Sequence, residues 1–208
     1  MKVLLINGSP NAKGCTYTAL GEVAKALESE NIKTEIIHLG NGPIRACTAC
    51  RGCKDGKCVF KDDLVNPTLE KAKDCDAFVL GSPVHFAAAS GQITSFLSRF
   101  FFAGRTGKCF ENKPGAAIVS CRRGGATAAF DQLNKYFTIS NMPIVSSQYW
   151  NMVHGNSPEE VMQDLEGLQT MRTLGKNMAW LLKCIHAGKQ VGVPSPEREE
   201  RVATNFIR

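Results

Sequence analysis

Short apolar runs alternate with amphipathic stretches along most of the chain. The runs are rich in Val, Ile, Leu and Ala and predict five strands, at 2–7, 33–38, 76–80, 115–120 and 144–150. The stretches between them hold apolar residues at helical spacing and predict helices at 16–30, 64–72, 91–102 and 127–137. A last, long helix is predicted from Pro158, after Ser157, to about Ile185.

This alternation of strands and helices predicts an α/β fold of three layers. The strand runs are continuously apolar, so we expect a parallel sheet that helices cover on both faces. Five such strands fit a doubly wound sheet in the order 2-1-3-4-5. We expect one domain over residues 1–187, including a cysteine-rich loop over 40–62, and a C-terminal arm over 188–208.

The loop after the first strand is the first candidate binding element. Ligands of doubly wound sheets bind beyond the carboxyl ends of the strands. The loop carries a glycine and several hydroxyls at its junction with the helix, from Ser9, Thr16, Tyr17 and Thr18. Hydroxyls and the unpaired N–H groups of a helix start together predict an anion site. An ordinary polar turn with Thr16 as the N-cap is the alternative.

The loops after the third and fourth strands are the second and third candidates. Gly81 to Phe86 offers an apolar surface and backbone donors that suit a planar ring, although a lone histidine such as His85 is more often a structural hydrogen-bonding residue than a catalyst. Ser120 to Ala126 contains paired glycines, which let the backbone approach a planar ligand closely. Arg122 or Arg123 could offset negative charge there, and a solvated turn is the alternative.

Four cysteines, Cys47, Cys50, Cys53 and Cys58, fall within a short polar segment. Thiolates at this spacing can converge on one centre, which favours a [4Fe–4S] cluster. Zinc, a thiol–disulfide pair and a loop that binds nothing are the alternatives. The other cysteines lie in or beside apolar runs, and we expect them to be small buried residues: Cys15, Cys75, Cys109, Cys121 and Cys184.

These stretches jointly resemble the NAD(P)H-dependent FMN reductase family of flavodoxin-like proteins. The matching segments are Gly-Ser-Pro-Asn at 8–11 with Cys15-Thr16, Gly-Ser-Pro-Val at 81–84 before His85-Phe86, and Gly124-Gly125. The cysteine segment, which ends Gly-Lys-Cys-Val-Phe-Lys-Asp-Asp at 56–63, resembles the iron–sulfur flavoprotein branch of that family. The resemblance covers about residues 1–155 and is specific through the combination of its motifs.

The resemblance implies an FMN site at the three loops. The residues expected at the phosphate are Ser9, Asn11, Cys15 and Thr16, with Tyr17 and Thr18 in the next positions. Those expected beside the isoalloxazine ring are Pro83, Val84, His85, Phe86, Arg122, Gly124 and Gly125. The segment Tyr149–Gly155 is expected either to border this pocket or to form a simple turn.

The function that the resemblance implies is electron transfer by an FMN-dependent oxidoreductase. Electrons would pass from NAD(P)H or a protein donor to a small-molecule or protein acceptor, through the cluster if the four cysteines hold one. A flavodoxin-type carrier without substrate turnover is the alternative. Because the flavin carries the chemistry, no catalytic side chain is assigned.

Composition and charge restrict the partners and the cellular location that we expect for this protein. The net charge of +6 is spread along the chain without a long basic block, which disfavours nucleic-acid binding. The positive charge also weakly disfavours a flavodoxin-type carrier, because such carriers are usually acidic. No apolar segment approaches about 18 residues, and no secretory signal is recognised, so we expect no membrane partner. The nine cysteines, an odd count, are not expected to form a disulfide framework in a chain of this length, so we expect the reducing environment of the cytoplasm. A homodimer or homotetramer is expected, because one such domain leaves the flavin edge open.

Overall fold

The computed structural model describes residues 1–197, 199–200, 202–204 and 206. They form a parallel sheet from β1 (Lys2–Asn7), β2 (Lys33–His38), β3 (Ala77–His85), β5 (Gly115–Cys121) and β6 (Met152–His154). The order is β2-β1-β3-β5-β6, and a two-residue strand, β4 (Ala88–Ala89), pairs antiparallel with the end of β3. Without this hairpin strand the order is the predicted 2-1-3-4-5, so the doubly wound α/β fold is confirmed.

Helices cover both faces of the sheet. One layer consists of α2 (Val65–Lys73), α3 (Gly91–Thr106) and α4 (Ala126–Thr138), and the other of α1 (Cys15–Glu28), the short α5 (Pro158–Val161) and α6 (Leu165–Gln190). Side chains alternate along each strand, so Leu4 and Ile6 of β1 pack in the first layer and Val3 and Leu5 in the second. Both faces are therefore apolar, which explains the continuous strand runs in the sequence.

The strand predicted at 144–150 is wrong in its position. Ile144 makes an isolated bridge with Gly115, after which the chain bends away from the sheet. The bend is held by the Ser147 hydroxyl, which donates to Oδ1 of Asn151 at 2.7 Å. The chain returns to the sheet as β6, so the strand begins after the predicted one ends.

The single long helix predicted from Pro158 is also wrong, because the chain forms α5 and α6 instead. Oδ1 of Asp164 accepts a hydrogen bond from the Gly167 N–H at 2.9 Å and starts α6 at Leu165. α6 then continues to Gln190, into the predicted arm. Within that arm, positions 198, 201, 205, 207 and 208 lie outside the described residues.

The third strand is longer than predicted. It continues past Leu80 to His85, because Ser82 and Pro83 pair with the carboxyl end of β5. The other predicted helices are confirmed, with ends that differ by a few residues. None of the helices in the described part of the chain is long and apolar enough to cross a membrane.

Candidate functional site

The loops that follow β1, β3 and β5 lie together at the carboxyl edge of the sheet. The Gly8 N–H donates to the Gly81 carbonyl at 2.8 Å, which joins the first loop to β3. The Ser90 hydroxyl donates to the Gly8 carbonyl at 2.7 Å, which joins the same loop to the start of α3. A Cβ built on Gly125 in the third loop would lie 2.6 Å from Cα of Ala87. The structure thus brings together the three loops that the sequence singles out.

Asn7, the last residue of β1, folds the first loop. Its buried side chain accepts from the Ser9 N–H at 3.1 Å and donates to the Ala12 carbonyl at 3.2 Å. The Ser9 hydroxyl accepts from the Asn11 N–H at 3.1 Å, and Nε2 of His38 lies 2.8 Å from the Ser9 carbonyl. Neither Asn7 nor His38 is among the predicted site residues. The signal for Asn7 was an amide at the end of an otherwise apolar strand.

The start of α1 leaves its first N–H groups available to a ligand. Gly14 is the N-cap, no described side chain caps the helix, and its first turn has no acidic residue. Thr16 is therefore not the N-cap that the alternative interpretation requires. Its hydroxyl is buried and lies 2.8 Å from the hydroxyl of Ser120. Backbone donors and the helix dipole, rather than the Thr16 hydroxyl, can attract an anion here.

The neighbouring positions of α1 differ in their surroundings. Tyr17 is exposed, and the Thr18 hydroxyl donates back to the Gly14 carbonyl at 3.3 Å. The Cys15 thiol is half-buried and donates to the Gly155 carbonyl at 3.7 Å, which ties the helix start to the chain after β6. Burial raises the pKa of the Cys15 thiol, so this group stays protonated at neutral pH.

The second loop is a tight hairpin turn. Phe86 and Ala87 connect β3 to β4 with φ of +51° and +59°, a conformation that glycine or asparagine usually supplies. The Phe86 side chain is fully exposed, as is much of His85, whereas Pro83 and Val84 are half-buried. The hairpin thus presents an apolar surface and one aromatic ring to solvent at the carboxyl edge.

The third loop passes beneath this hairpin. Gly125 has φ +86° and serves as the N-cap of α4. A side chain at this position would collide with Ala87 and come within 3.1 Å of Val84, so glycine is required. Gly124 and Arg122 are exposed, and a Cβ at Gly124 would meet open space. The loop therefore presents backbone and a cationic side chain beside the hairpin.

A cavity of about 350 Å³ borders this edge on the β6 side, with Tyr149, Trp150, Met152 and His154 in its wall. The Tyr149 and Trp150 rings are about half exposed and lie 5.0 Å apart between centroids. A larger cavity of about 410 Å³ adjoins Phe102 at the end of α3. That helix starts at the carboxyl edge and runs away from it, so the larger cavity is not part of this site.

The cysteine loop is pinned to α2 and α3 through its backbone. The Cys47 N–H donates to the Ser98 hydroxyl at 3.0 Å, and the Gly56 N–H donates to the Thr106 hydroxyl at 3.1 Å. The Asn66 side chain accepts from the Cys58 N–H at 2.8 Å and donates to the Cys58 carbonyl at 2.9 Å. A loop with almost no regular structure is thus held by side chains of the helices beneath it.

The four predicted ligand cysteines lie in one neighbourhood. Cys58 is buried, Cys47 and Cys53 are half-buried, and Cys50 is exposed. Burial raises the pKa of the Cys53 thiol, and the nearby thiols of Cys58, Cys50 and Cys47 raise it further. Across the described residues, no group of three or more His, Cys, Asp or Glu side chains has metal-binding geometry. The donor chemistry fits a thiolate-held metal centre, but the sulfurs do not form a closed ligand set.

Arg99 of α3 lies buried beneath this loop and was missed by sequence analysis. Its Nε–H donates to Sγ of Cys58 at 3.3 Å, and its Nη1 pairs with the Asp63 carboxylate. Burial lowers the pKa of the guanidinium, but the hydrogen bonds to Cys58 and Asp63 outweigh this and leave the pKa above its ordinary value. The available signal was an arginine three positions after Phe96, on the apolar side of the helix.

The remaining cysteines follow the prediction in part. Cys75, Cys109 and Cys121 are buried, as predicted, and burial raises the pKa of each thiol. Cys15 is only half-buried. For Cys184 the prediction is wrong, because this residue is exposed on α6.

Comparisons with known structures agree with this fold. A flavodoxin from the domain Archaea superposes with a TM-score of 0.60 at 15% identity, over 88% of this chain and 99% of that one. The NAD(P)H:quinone oxidoreductase of Methanothermobacter marburgensis superposes with a TM-score of 0.65 at 14% identity, over 86% and 98% of the two chains. These likenesses confirm the flavodoxin-like fold.

The sequence comparisons are more specific. An iron–sulfur flavoprotein of Methanocaldococcus jannaschii is 35% identical over 193 residues, which cover 89% of this chain and 99% of the relative. The model of the NADPH-dependent FMN reductase family matches residues 1–157, which include all three loops and the cysteine segment. The chain therefore belongs to the NADPH-dependent FMN reductase family.

Proposed function

We propose that this chain binds FMN at the carboxyl edge of its sheet and passes electrons from NAD(P)H or a protein donor to a small-molecule or protein acceptor. The observation that carries the proposal is the loop after β1, which Asn7 folds in front of the uncapped start of α1. N–H donors at a helix start suit a phosphate group. In this proposal Ser9, Asn11, Cys15 and Thr16 shape the phosphate site, bordered by Tyr17 and Thr18.

The ring of the flavin would lie between the hairpin and the third loop. Pro83, Val84, His85 and Phe86 offer one wall, and the absence of a side chain at Gly125 keeps the opposite backbone close. Arg122, together with Gly124, is exposed beside this space. A guanidinium there would offset negative charge on the ring. Bound FMN supplies the hydride and single-electron chemistry, and the chain supplies position and electrostatics.

We further propose that Cys47, Cys50, Cys53 and Cys58 bind a [4Fe–4S] cluster. Support comes from the shared neighbourhood of the four thiols and from the name of the Methanocaldococcus jannaschii relative. Zinc, a disulfide and a loop without ligand stay open as outcomes of the test below. The odd count of nine cysteines and the clustering of four of them fit a cytoplasmic location, which belongs to the same proposal.

The FMN and turnover claims are tested on protein purified without oxygen. We expect a flavin spectrum, FMN release on denaturation, and steady oxidation of NADH or NADPH when an acceptor is added. Quinones are the first acceptors to test, because a structural neighbour is named as a quinone oxidoreductase; free flavins and ferric complexes follow. Colourless protein that takes up no FMN would overturn the proposal. Bound FMN without turnover would instead favour the flavodoxin-type carrier.

The cluster claim is tested by metal analysis of the same preparation. We expect about four iron and four sulfide per chain, with a broad visible shoulder that bleaches on reduction. Cys50→Ser should lose iron and keep FMN, whereas Cys184→Ser, which changes an exposed cysteine outside the loop, should keep both. Zinc in place of iron, or equal iron in the two variants, would contradict the assignment.

A homodimer or homotetramer completes the proposal. The exposed Phe86, Tyr149 and Trp150 surround the open edge of the proposed flavin site, where a second copy would cover them. Sedimentation velocity at several concentrations should show an assembly larger than one chain of 22.6 kDa. A monomer at every concentration would refute this part alone.

A further inference from the structure

All three nitrogen atoms of the Arg99 guanidinium donate hydrogen bonds to the cysteine segment and the residues that flank it. Nε–H donates to Sγ of Cys58 at 3.3 Å, Nη2 to the Phe60 carbonyl at 3.0 Å, and Nη1 to the Arg45 carbonyl at 3.3 Å. Nη1 also pairs with Asp63. The residue is only 1% exposed, so these contacts are made away from solvent.

The bond to sulfur sets Cys58 apart from the other three cysteines. In the described part of the chain, it is the one thiol of the four that receives an N–H from a side chain. A buried arginine with a purely structural role needs an anion for its charge and acceptors for its N–H groups, and Asp63 and the two carbonyls supply these. The hydrogen bond from Nε–H to the sulfur of Cys58 is not needed for such a role and therefore requires another explanation.

We infer that Arg99 is a positioning residue that raises the electron affinity of the metal centre through Cys58. This rests on the proposed function, which assigns the four cysteines to such a centre. One electron from the reductant adds one negative charge to the centre and its thiolates; no bond breaks and no proton moves. An N–H donor at one sulfur stabilises the more negative state more strongly, so it favours reduction.

Asp63 has the opposite influence on the same centre. Its carboxylate holds the guanidinium and offsets part of its positive charge. A variant that lacks the negative charge of Asp63 but keeps its side-chain shape leaves the positive charge of Arg99 less neutralised beside Cys58. Changing Arg99 and Asp63 one at a time should therefore shift the reduction potential of the centre in opposite directions. A general loosening of the loop would instead shift both variants in the same direction.

The test measures the midpoint potential of the centre by redox potentiometry with dithionite, followed by electron paramagnetic resonance. In Arg99→Gln, we expect the equilibrium for one-electron reduction to become about tenfold less favourable, a fall of about 59 mV. Arg99→Lys keeps the charge and should fall less. Asp63→Asn should rise. Arg105→Gln, which removes an exposed positive charge from the last turn of the same helix, should stay at the wild-type potential.

The outcomes separate the two proposals. Wild-type protein without iron and sulfide would overturn the cluster and, with it, the role of Arg99. A wild-type cluster whose potential is unchanged in Arg99→Gln and Asp63→Asn, or moves the same way in both, would overturn the role of Arg99 alone. If Arg99→Gln does not fold, Arg99→Lys and Asp63→Asn still decide the sign. An equal shift of the flavin potential in the same samples would also refute a local effect.

Discussion

The hydroxyls of Thr16 and Ser120 lie 2.8 Å apart and are both buried. This hydrogen bond joins the first turn of α1 to the end of β5, so it connects the proposed phosphate site to the loop expected beside the ring. The two residues are 104 positions apart in the chain. A pair of small polar side chains therefore stabilises the carboxyl edge of the sheet by joining α1 to β5.

Changing one partner of this pair should weaken the site. In Ser120→Ala, the Thr16 hydroxyl is left buried without a partner, which we expect to cost about 1–3 kcal/mol of the free energy of unfolding. FMN affinity should fall as well, because the start of α1 loses its brace. Urea unfolding and FMN titration measure the two effects.

Ser140→Ala is the matched control for this prediction. Its buried hydroxyl has no hydrogen-bond partner among the described residues, so its removal should leave stability unchanged or improve it. Adding Thr16→Val to Ser120→Ala should recover part of the loss, since neither hydroxyl then remains. Equal losses in Ser120→Ala and Ser140→Ala would count against the brace.

The paired glycines of the third loop should respond differently to substitution. Gly125→Ala places a methyl group in the left-handed region, at a cost of about 1–2 kcal/mol, and against Cα of Ala87. Gly124→Ala meets open space. We expect thermal unfolding to show a lower Tm and weaker FMN binding for the first variant and little change for the second. The same behaviour in both would show that the hairpin does not rest on Gly125.

Two helical glycines should give stability changes of opposite sign. A Cβ at Gly175 of α6 would lie 2.6 Å from Cβ of Ala26 and 2.9 Å from the Val23 carbonyl on α1. Overpacking of about 1–3 kcal/mol there exceeds the helix-propensity gain of about 1 kcal/mol, so Gly175→Ala should destabilise the protein. Gly21 of α1 has no such contact, so Gly21→Ala should stabilise it. Chemical denaturation measures both, and a stabilised Gly175→Ala would contradict the close approach of the helices.

Glu35 gives the unfolding free energy a dependence on acidic pH. Hydrogen bonds from Lys2 and then Lys71 hold the pKa of its carboxyl below the ordinary value of 4.5. Since the folded-state pKa is the lower one, the stabilisation is complete above pH 4.5 and is lost as the pH falls through the folded-state pKa. Glu35→Gln should be less stable by about 1 kcal/mol at pH 7, and the difference should vanish once acid has protonated the carboxyl in the folded state as well. A difference that persists in acid would refute the ionic origin.

Much of the fold could be predicted from the sequence, because a strand whose two faces are both buried has a continuous run of apolar residues. The runs around Leu4, Phe78 and Ile118 are apolar at every position, and the strands they form lie at the centre of the sheet. The segment 144–150 begins with Ile144 and Val145 and ends with two aromatic residues, but three polar residues interrupt it. Its place in the sheet is decided by hydrogen bonds from Ser147 and Asn151, whose polar side chains carry no strand signal.

The candidate site was predictable as a set of loops but not as a network of contacts. Glycine and proline mark where the strands end, so the three loops could be found from local chemistry. The partners that brace them are distant in sequence: Thr16 with Ser120, and Cys58 with Arg99. No local pattern connects such pairs. An arginine within an apolar helix face was the one local sign that the cysteine loop is held from below.

The contacts of Arg99 have a consequence for the order in which the cysteine segment forms. The guanidinium binds Arg45 and Asp63, which flank all four cysteines, so one side chain closes a polypeptide ring without a disulfide. Closing this ring reduces the conformational entropy of the chain, and that loss occurs when α3 folds, before any metal binds. We therefore expect the Cys58 amide, held by Asn66, to resist hydrogen exchange in metal-free protein. The thiols would then be gathered by the polypeptide itself, ahead of anything they bind.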